Sequence, residues 1–478
     1  MLFNSIEFAV FLPFVFFLYW FLAKRTIKIQ NILLLGASYL FYGWWDWRFL
    51  SLIIFSSFID FLVGVQLGKS NHIKTRKILL TTSILVNLGF LGFFKYFNFF
   101  VESFTEAFTL LGQPLEASRL NIILPVGISF YTFQTLSYSI DVYRKKLEPT
   151  QDVIAFFTFV SFFPQLVAGP IERATNLLPQ FYKRRLFDTQ KAVDGMRQIL
   201  WGLFKKVVIA DNCAIHANQI FNNSEDYSGS TLIFGALMFT FQIYGDFSGY
   251  SDIAIGTSRL FGFNLKQNFA FPYFSRDIAE FWRRWHISLS TWFRDYLYIP
   301  LGGSKGSQWR KTRNVFIIFI ASGFWHGANW TFIVWGLLNA VYFLPLLLTN
   351  RNRNNTNTIA EGKTLPNFRE LMSMLGTFVL TVFAWVFFRA DNLSHALQYV
   401  MDMFTLKFFD IQLPIPYLLL FFVFCFLFIE WFGRFKAHAL EELELVMSKR
   451  LRWTLYMAFI LAIYLSPVQK SEFIYFQF

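Results

Sequence analysis

Long apolar runs recur along the whole chain, and short polar or basic stretches separate them. Runs such as 8–21, 50–67 and 79–100 carry almost no charged residues. A helix needs about 20 mostly apolar residues to cross the hydrocarbon core of a bilayer. The pattern therefore predicts an all-α polytopic membrane protein with roughly ten to twelve spans.

The basic residues indicate which loops face the cytoplasm, because Lys and Arg are enriched on that side of a membrane. Counting from the basic clusters places both termini outside. The count fails after the apolar run 153–168, where AGPIER (168–173) and a basic stretch from 183 to 206 follow. Two alternatives stay open there: AGPIER lies in a re-entrant segment, or the run from Val153 is not a full crossing.

Composition agrees with a membrane protein and limits its partners. Of 478 residues, 55% are hydrophobic and only 15% are charged, whereas a soluble protein carries about a quarter charged residues. The formal net charge of +13 does not indicate nucleic acid, because the basic residues concentrate in short loops. We expect the lipid bilayer to be a partner and nucleic acid not to be one. No Cys or His spacing is typical of a metal site, so no bound metal or cofactor is predicted.

Two motifs each place one histidine beside tryptophans in this apolar chain. They are FWRRWHISLSTWFRDYLYIPLGG (281–303), which contains His286, and SGFWHGANWTFIVWG (322–336), which contains His326. Because a titratable group inside a membrane is costly, such a residue usually faces a cavity and serves a function. Imidazole titrates near neutrality, so either histidine could take a proton from a hydroxyl group and return it to a leaving group.

The two histidines differ in their sequence surroundings. His326 has mostly apolar and small neighbours, apart from Asn329, so we expect it to be buried and to act as the base. His286 has several arginines nearby and could equally lie at the membrane interface, bound to lipid headgroups or to Asp295.

Two aspartates also stand in apolar sequence. Asp246 and Asp252 lie in the stretch YGDFSGYSDIAIG (244–256). A carboxylate in such surroundings needs a partner, and we expect buried arginines to pair with both. We therefore predict a structural role for the two aspartates rather than a catalytic one.

The two histidine motifs, in this order, resemble the membrane-bound O-acyltransferase family. The resemblance runs almost end to end, from MLFNSIEF through GISFYTFQTLSYSIDVYR and FFPQLVAGPIER to FAWVFFRADNLSHA. Within the family, the chain looks most similar to the branch of the bacterial alginate O-acetyltransferase membrane subunit. A sister branch that D-alanylates teichoic acid has similar sequence around FSGYSDIAIG and FWRRWHISLSTWFRDY.

This resemblance implies a single domain over residues 1–478. Peripheral helices would occupy about 1–120, a catalytic core about 121–345, and C-terminal helices with a tail about 367–478. A helical bundle, thinned by tilted and re-entrant segments, would surround a central tunnel that admits an acyl donor from the cytosol. The acceptor would enter from the outer face of a bacterial cell (inner) membrane, which the chain crosses several times.

The resemblance also implies an acyltransferase and assigns its residues. His326 would be the catalytic base, His286 a second tunnel residue, and Tyr475 in the tail FIYFQF (473–478) a carrier of the acyl group. The alternative for the tail is an interfacial anchor, since Tyr and Phe often lie at a membrane surface. Five further motif residues are expected to bind substrate: Asn329, Trp325, Arg294, Asp295 and Ser290.

The same resemblance suggests the substrates and partners. The donor is expected to be acetyl-CoA or an acyl carrier protein, and the acceptor an exported cell-envelope polysaccharide or exopolysaccharide such as alginate. An SGNH-type periplasmic or membrane-anchored acetyltransferase is the expected protein partner. Three alternatives stay open: acyl or D-alanyl transfer to teichoic acid, a polysaccharide export subunit, and a scaffold that only recruits a periplasmic acetylase.

Overall fold

A computed structural model describes residues 1–22, 26–113, 115, 119–167, 169–404, 410–466 and 473–474. Within these ranges the chain is mainly helical and contains no strand, which confirms the predicted all-α class. The chain forms two compact units. Unit 1 comprises Met1–Ala192 and Thr257–Leu265, and unit 2 comprises Val193–Gly256 and Lys266–Phe478. The single domain over the whole chain stays a prediction.

Unit 1 is built from apolar helices whose few polar side chains satisfy one another. Asp60 is fully buried and accepts hydrogen bonds from Ser139 Oγ at 2.8 Å and from Asn87 Nδ2 at 2.7 Å. These bonds join three helices, because a buried carboxylate is stable only with such partners. The α-helices of unit 1 are α1 (Ile6–Phe17), α2 (Ile27–Gly43), α3 (Leu50–Lys69), α4 (Ile73–Leu91), α5 (Phe97–Leu110), α6 (Ile128–Tyr143), α7 (Val153–Ser161), α8 (Phe163–Leu166) and α9 (Ala174–Leu177).

Unit 2 contains both histidine motifs. The α-helices that lie wholly or mostly in it are α10 (Thr189–Leu203), α11 (Asp211–Phe221), α12 (Gly229–Leu260), α13 (Ile278–Arg284), α14 (Ile287–Phe293), α15 (Gln308–His326), α16 (Trp330–Leu348), α17 (Phe368–Arg389), α18 (Leu393–Asp402), α19 (Tyr417–Gly433), α20 (Leu443–Val446) and α21 (Lys449–Leu465). Short π-helical segments follow several helices at Leu18–Leu22, Gly92–Tyr96, Phe204–Ala210 and Arg294–Tyr298. Turns of 3₁₀-helix occupy Trp47–Phe49, Leu178–Phe181, Ser224–Asp226 and Pro272–Phe274.

The helices include segments long and apolar enough to cross a membrane. Among the described residues, four meet this criterion by length and composition: Trp47–Lys69, Ile73–Leu110, Trp330–Leu348 and Phe368–Arg389. Shorter apolar helices cover Ile6–Phe21, Val153–Leu166 and Tyr417–Gly433. The protein is therefore an all-α polytopic membrane protein, while the number of ten to twelve spans stays a prediction.

The run from Val153 is shorter than its sequence indicates. Helix α7 ends at Ser161, and the four-residue helix α8 follows after Phe162. The apolar helical stretch Val153–Leu166 would extend about 21 Å at 1.5 Å per residue, against a hydrocarbon thickness of about 30 Å. This length favours the second alternative, in which the run is not a full crossing.

Close contact between α15 and α16 determines where His326 lies. A Cβ atom at Gly323 would lie 2.2 Å from the carbonyl oxygen of Phe332, and one at Gly336 would lie 2.3 Å from that of Phe319. No side chain fits at such distances, so the small residues of the motif allow the two backbones to touch. His326 is the last residue of α15, three residues after Gly323 of this contact.

Candidate functional site

The two motif histidines meet inside unit 2. Their ring centroids are 6.2 Å apart, although the residues are 40 positions apart in the sequence. His286 is 0% exposed and His326 is 2% exposed. The expected difference between a buried His326 and an interfacial His286 is therefore wrong. Of the neighbouring arginines, Arg283 donates to the Asn352 carbonyl oxygen at 2.9 Å, and Arg284 donates to Glu280 Oε1 at 2.9 Å.

The backbone at this break holds His286 in an unusual conformation. His286 precedes α14 with φ 42° and ψ 54°, in the left-handed region that residues other than glycine rarely occupy. Asn268 secures the turn: its carbonyl oxygen accepts from the Ile287 amide at 2.9 Å, and its Oδ1 accepts from Ser288 Oγ at 2.8 Å. Strained backbone of this kind concentrates at functional sites, where the surrounding structure compensates its cost of about 1–3 kcal/mol.

Aromatic rings surround both imidazoles. The ring of Phe247 lies 4.6 Å from that of His286, edge to face, and the ring of Trp325 lies 5.8 Å from it. Around His326, the rings of Trp325, Trp335 and Phe388 lie at 5.0, 5.1 and 5.4 Å. Trp325 thus contacts both histidines. We call these four aromatic residues with the two histidines the histidine cage.

The apolar surroundings of His286 favour a neutral imidazole. His286 lies between two seven-residue helices, outside the candidate membrane spans, and burial lowers its pKa to about 3. Since desolvation disfavours the charged form, the ring stays neutral at physiological pH. A neutral imidazole carries one donor and one acceptor nitrogen, which is what a general base or a hydrogen-bond donor to a polarised carbonyl requires.

Asn329, which was predicted to bind substrate, has its side chain in backbone hydrogen bonds. Its Oδ1 accepts from the Thr331 amide at 3.0 Å, which caps α16, and its Nδ2 donates to the Asp391 carbonyl oxygen at 2.8 Å. Both ends of the carboxamide therefore stabilise the start of α16. This arrangement gives Asn329 a structural role next to the histidine cage.

Trp325 belongs to the histidine cage, whereas Ser290, Arg294 and Asp295 lie in or beside a separate cavity of about 720 Å³ in unit 2, which we call the cationic cavity. Ser290 and Arg294 line it, and Asp295 forms an ion pair with Arg294, with Nε and Oδ1 2.7 Å apart. Three further basic residues line the same cavity: Arg283, Lys311 and Arg353. Among the residues that the structure describes, no acidic side chain lines it. The cavity is therefore suited to an anionic ligand.

The cationic cavity approaches the histidine cage without including either histidine. Ser322, one turn before His326 on α15, lines the cavity. Trp282 also lines it, and its ring lies 5.6 Å from that of Trp335 in the cage. A ligand in this cavity would have its anionic end among the arginines and its other end toward the cage.

Two buried ion-pair groups were missed by the sequence reasoning. Lys205 Nζ lies 2.5 Å from Asp252 Oδ2, and Lys206 Nζ lies 2.8 Å from Asp246 Oδ1 and 2.9 Å from Asp211 Oδ1. We call these five residues the charge cluster. The expectation that arginines pair with the two aspartates is wrong, because lysines that look in sequence like part of a basic loop are buried in the π-helical segment Phe204–Ala210. The only available signal was that the two lysines interrupt an apolar stretch, WGLFKKVVIA.

The charge cluster also holds the C-terminal tail. The amide of Ile474 donates to Asp246 Oδ2 at 2.7 Å, and the ring of Phe473 lies 4.3 Å from that of Tyr250. Phe473 also lies 5.9 Å from Phe247, the ring that contacts His286. Both tail residues are buried. Tyr475, the predicted acyl carrier, lies outside the described residues, directly after this buried pair in the sequence.

Comparison with known proteins relates these residues to characterised chemistry. The model of the membrane-bound O-acyltransferase family (MBOAT) matches residues 40–388, which include both histidines. The chain is 41% identical to the probable alginate O-acetylase of Azotobacter vinelandii over 408 residues, which cover 85% of this chain and 78% of that protein. The corresponding protein of Pseudomonas aeruginosa is 41% identical over 409 residues, covering 85% of this chain and 75% of that protein. The peptidoglycan O-acetyltransferase of Helicobacter pylori is 36% identical over 437 residues, covering 85% and 80%.

Proposed function

Since the chain belongs to the membrane-bound O-acyltransferase family, and is thus a membrane O-acyltransferase, we propose that it passes an acetyl group from a thioester donor toward hydroxyl groups of an exported polysaccharide. The names of its relatives support the acyl group and the acceptor class, since one group is named for acetylating alginate and another for acetylating peptidoglycan. The structural observation that carries the proposal is the pair of buried imidazoles 6.2 Å apart in the histidine cage.

We assign the two imidazoles different roles. His326 takes the proton of the attacking hydroxyl group, whose oxygen forms a bond to the thioester carbonyl carbon. The C–S bond then breaks, and the imidazolium of His326 returns the proton to the leaving thiolate. His286 is a poor base because burial lowers its pKa to about 3. Its N–H is better suited to donate a hydrogen bond to the oxyanion that develops on the carbonyl oxygen.

The cationic cavity is the proposed donor site. Acetyl-CoA and the arm of an acyl carrier protein both carry a thioester at the end of a chain with phosphate groups. The four basic residues of the cavity match the phosphates, and its end near Ser322 and Trp282 leads toward the cage. Binding of phosphates to arginines is strong because two N–H groups can bond two oxygens at once.

The tail is the proposed route of the acetyl group out of the cage. Tyr475 would accept the acetyl group on its hydroxyl and pass it to an SGNH-type partner on the outer face of a bacterial inner membrane. The support is indirect: Ile474, next to Tyr475, is held by Asp246, and Phe473 packs against the ring that contacts His286.

A transfer assay tests the function. Purified full-length protein in nanodiscs receives acetyl-CoA labelled in the acetyl group. Label is measured on the protein and, after addition of a cell extract that supplies the SGNH-type partner, on polysaccharide. We expect His326→Ala to lose both signals, whereas His216→Ala, which removes a half-buried histidine of α11 outside the cage, keeps them. Full transfer by His326→Ala would exclude the assigned base.

The same assay separates the alternatives. A teichoic acid D-alanyltransferase would accept label from a D-alanyl carrier protein and not from acetyl-CoA. An export subunit or a scaffold would show no label with any donor, and polymer secretion in cells would then depend on the protein even when acetylation is absent.

A further inference from the structure

Two cavities adjoin in unit 1, far in sequence from the histidine motifs. The first, of about 940 Å³, is bordered by basic side chains from residues 183–191 and by Arg259, and we call it the basic cavity. The second, of about 750 Å³, is bordered mainly by Phe16, Phe21 and Ile27, and we call it the apolar cavity. They share a wall of five residues: Trp20, Arg184, Arg185, Leu186 and Phe187.

Positively charged side chains predominate in the lining of the basic cavity. Five cationic residues line it: Lys183, Arg184, Arg185, Lys191 and Arg259. Asp188 is the one acidic residue in its lining. That carboxylate accepts from the amides of Gln190 and Lys191 at 3.0 and 3.1 Å and pairs with Lys191 Nζ at 3.7 Å, so the cationic side chains still outnumber the acidic ones in the lining. The cavity therefore presents a positive potential to any ligand that enters it.

Arg185 is the residue that indicates an anionic ligand for this site. It is 7% exposed, and it lines both cavities. Its Nε and Nη2 donate to the neutral side chain of Gln30 at 3.2 and 3.1 Å, and Nη2 donates to Asn31 Oδ1 at 2.8 Å. In the part of the chain that the structure describes, no carboxylate pairs with Arg185, and its buried Nη1 makes no hydrogen bond. A buried guanidinium without a counter-charge is destabilising, and a bound anion would remove that cost.

The apolar cavity borders a surface made for lipid. Along α1 and the turn after it, large apolar side chains are exposed at three- and four-residue intervals: Ile6, Val10, Phe14, Phe17 and Phe21. This spacing forms one continuous stripe on a helix. Phe21 belongs both to the stripe and to the wall of the apolar cavity, so an acyl chain could pass from the bilayer into the cavity along it.

We propose that the two cavities form one binding site for an anionic phospholipid, whose phosphate group pairs with Arg185 in the basic cavity and whose acyl chain fills the apolar cavity. A soluble phosphate compound would occupy the basic cavity alone and would leave the apolar cavity unfilled. A lipid with a zwitterionic headgroup carries the phosphate but brings a positive charge among five cationic residues. The anionic phospholipid is the one class that matches both halves of the site.

Lipid-dependent stability of the delipidated full-length protein in neutral detergent tests the proposal. The thermal midpoint is measured against added phosphatidylglycerol, phosphatidylcholine with the same chains, and sn-glycerol 3-phosphate. We expect a saturable rise with phosphatidylglycerol, and a much smaller effect of the other two ligands. A full effect of sn-glycerol 3-phosphate would replace the lipid with a soluble phosphate, and equal effects of both lipids would overturn the role of charge.

Substitutions in and away from the two cavities test whether phosphatidylglycerol binds at the proposed site. Lys183→Gln with Arg184→Gln, both exposed, should weaken the apparent affinity for phosphatidylglycerol by about fivefold for each charge removed. The control is Lys74→Gln with Lys77→Gln, which removes the same charge from exposed positions of unit 1 that line neither cavity. Arg185→Gln should abolish the lipid-dependent rise and raise the midpoint of the lipid-free protein. An equal loss of affinity in both double variants would refute the site.

Discussion

The histidine cage and the charge cluster lie side by side in unit 2, and they differ in what surrounds their buried titratable side chains. In the cage, two imidazoles are surrounded by aromatic rings that offer no counter-charge. In the charge cluster, two lysines form ion pairs with three aspartates at 2.5–2.9 Å. The cage surrounds its imidazoles with apolar rings, whereas the cluster fixes its side chains in ion pairs. Phe247 and the tail residue Phe473 connect the two regions.

The largest stability effect is expected from the charge cluster. Lys206→Met leaves Asp246 and Asp211 buried without their cation, so the free energy of unfolding should fall by about 3–5 kcal/mol. Chemical unfolding in detergent, followed by tryptophan fluorescence, measures the change. Adding Asp246→Asn to Lys206→Met should recover part of the loss. An unchanged free energy of unfolding in Lys206→Met would contradict the stabilising role of the charge cluster.

The cage should respond in activity rather than in stability. His326→Gln preserves a polar side chain of similar size but cannot act as a base, so acetyl transfer should fall by about 10²–10⁴-fold. The thermal midpoint should change much less than in Lys206→Met. A parallel measurement of transfer rate and thermal midpoint in both variants decides this. A large loss of stability with little loss of rate would reverse the assignment of the two regions.

The tail contact should give an intermediate effect. Asp246→Asn weakens the acceptor for the Ile474 amide, and we expect acetyl label to reach the polysaccharide about tenfold more slowly, since a hydrogen bond to a charged group contributes about 1.5–3 kcal/mol. Asp252→Asn is the matched control, because it removes a carboxylate from the same cluster without touching the described tail residues. Equal rates in the two variants would contradict a positioning role for Asp246.

The smallest effect is expected at Asn329. Asn329→Ala removes the cap of α16 and should lower the free energy of unfolding by about 1 kcal/mol. The transfer rate should stay within a few fold of the parent, because both ends of the carboxamide serve the backbone. A loss of rate as large as that of His326→Gln would instead support the predicted role of Asn329 in binding substrate.

The residues that carry the site were visible in the sequence, but their arrangement was not. The tryptophans and the small residues around His326 indicated its burial, because polar groups in apolar runs are conspicuous. The burial of His286 was not predictable, since it depends on a left-handed turn that Asn268 secures from outside the motif. Lys205 and Lys206 were misinterpreted for a related reason: a lysine in a loop and a lysine paired inside a bundle look alike until the partner is known.

The glycines between α15 and α16 have a consequence for engineering acyl-group specificity. With the backbones of α15 and α16 in contact at Gly323 and Gly336, neither helix can move closer to the other to make room for a longer acyl chain. Any larger side chain at these glycines would separate the two helices and change the distance between the imidazoles of His326 and His286. Space for a propionyl or butyryl group would therefore have to come from a smaller side chain in place of a cage residue such as Phe388 or Trp325. Such a substitution leaves both helices in place.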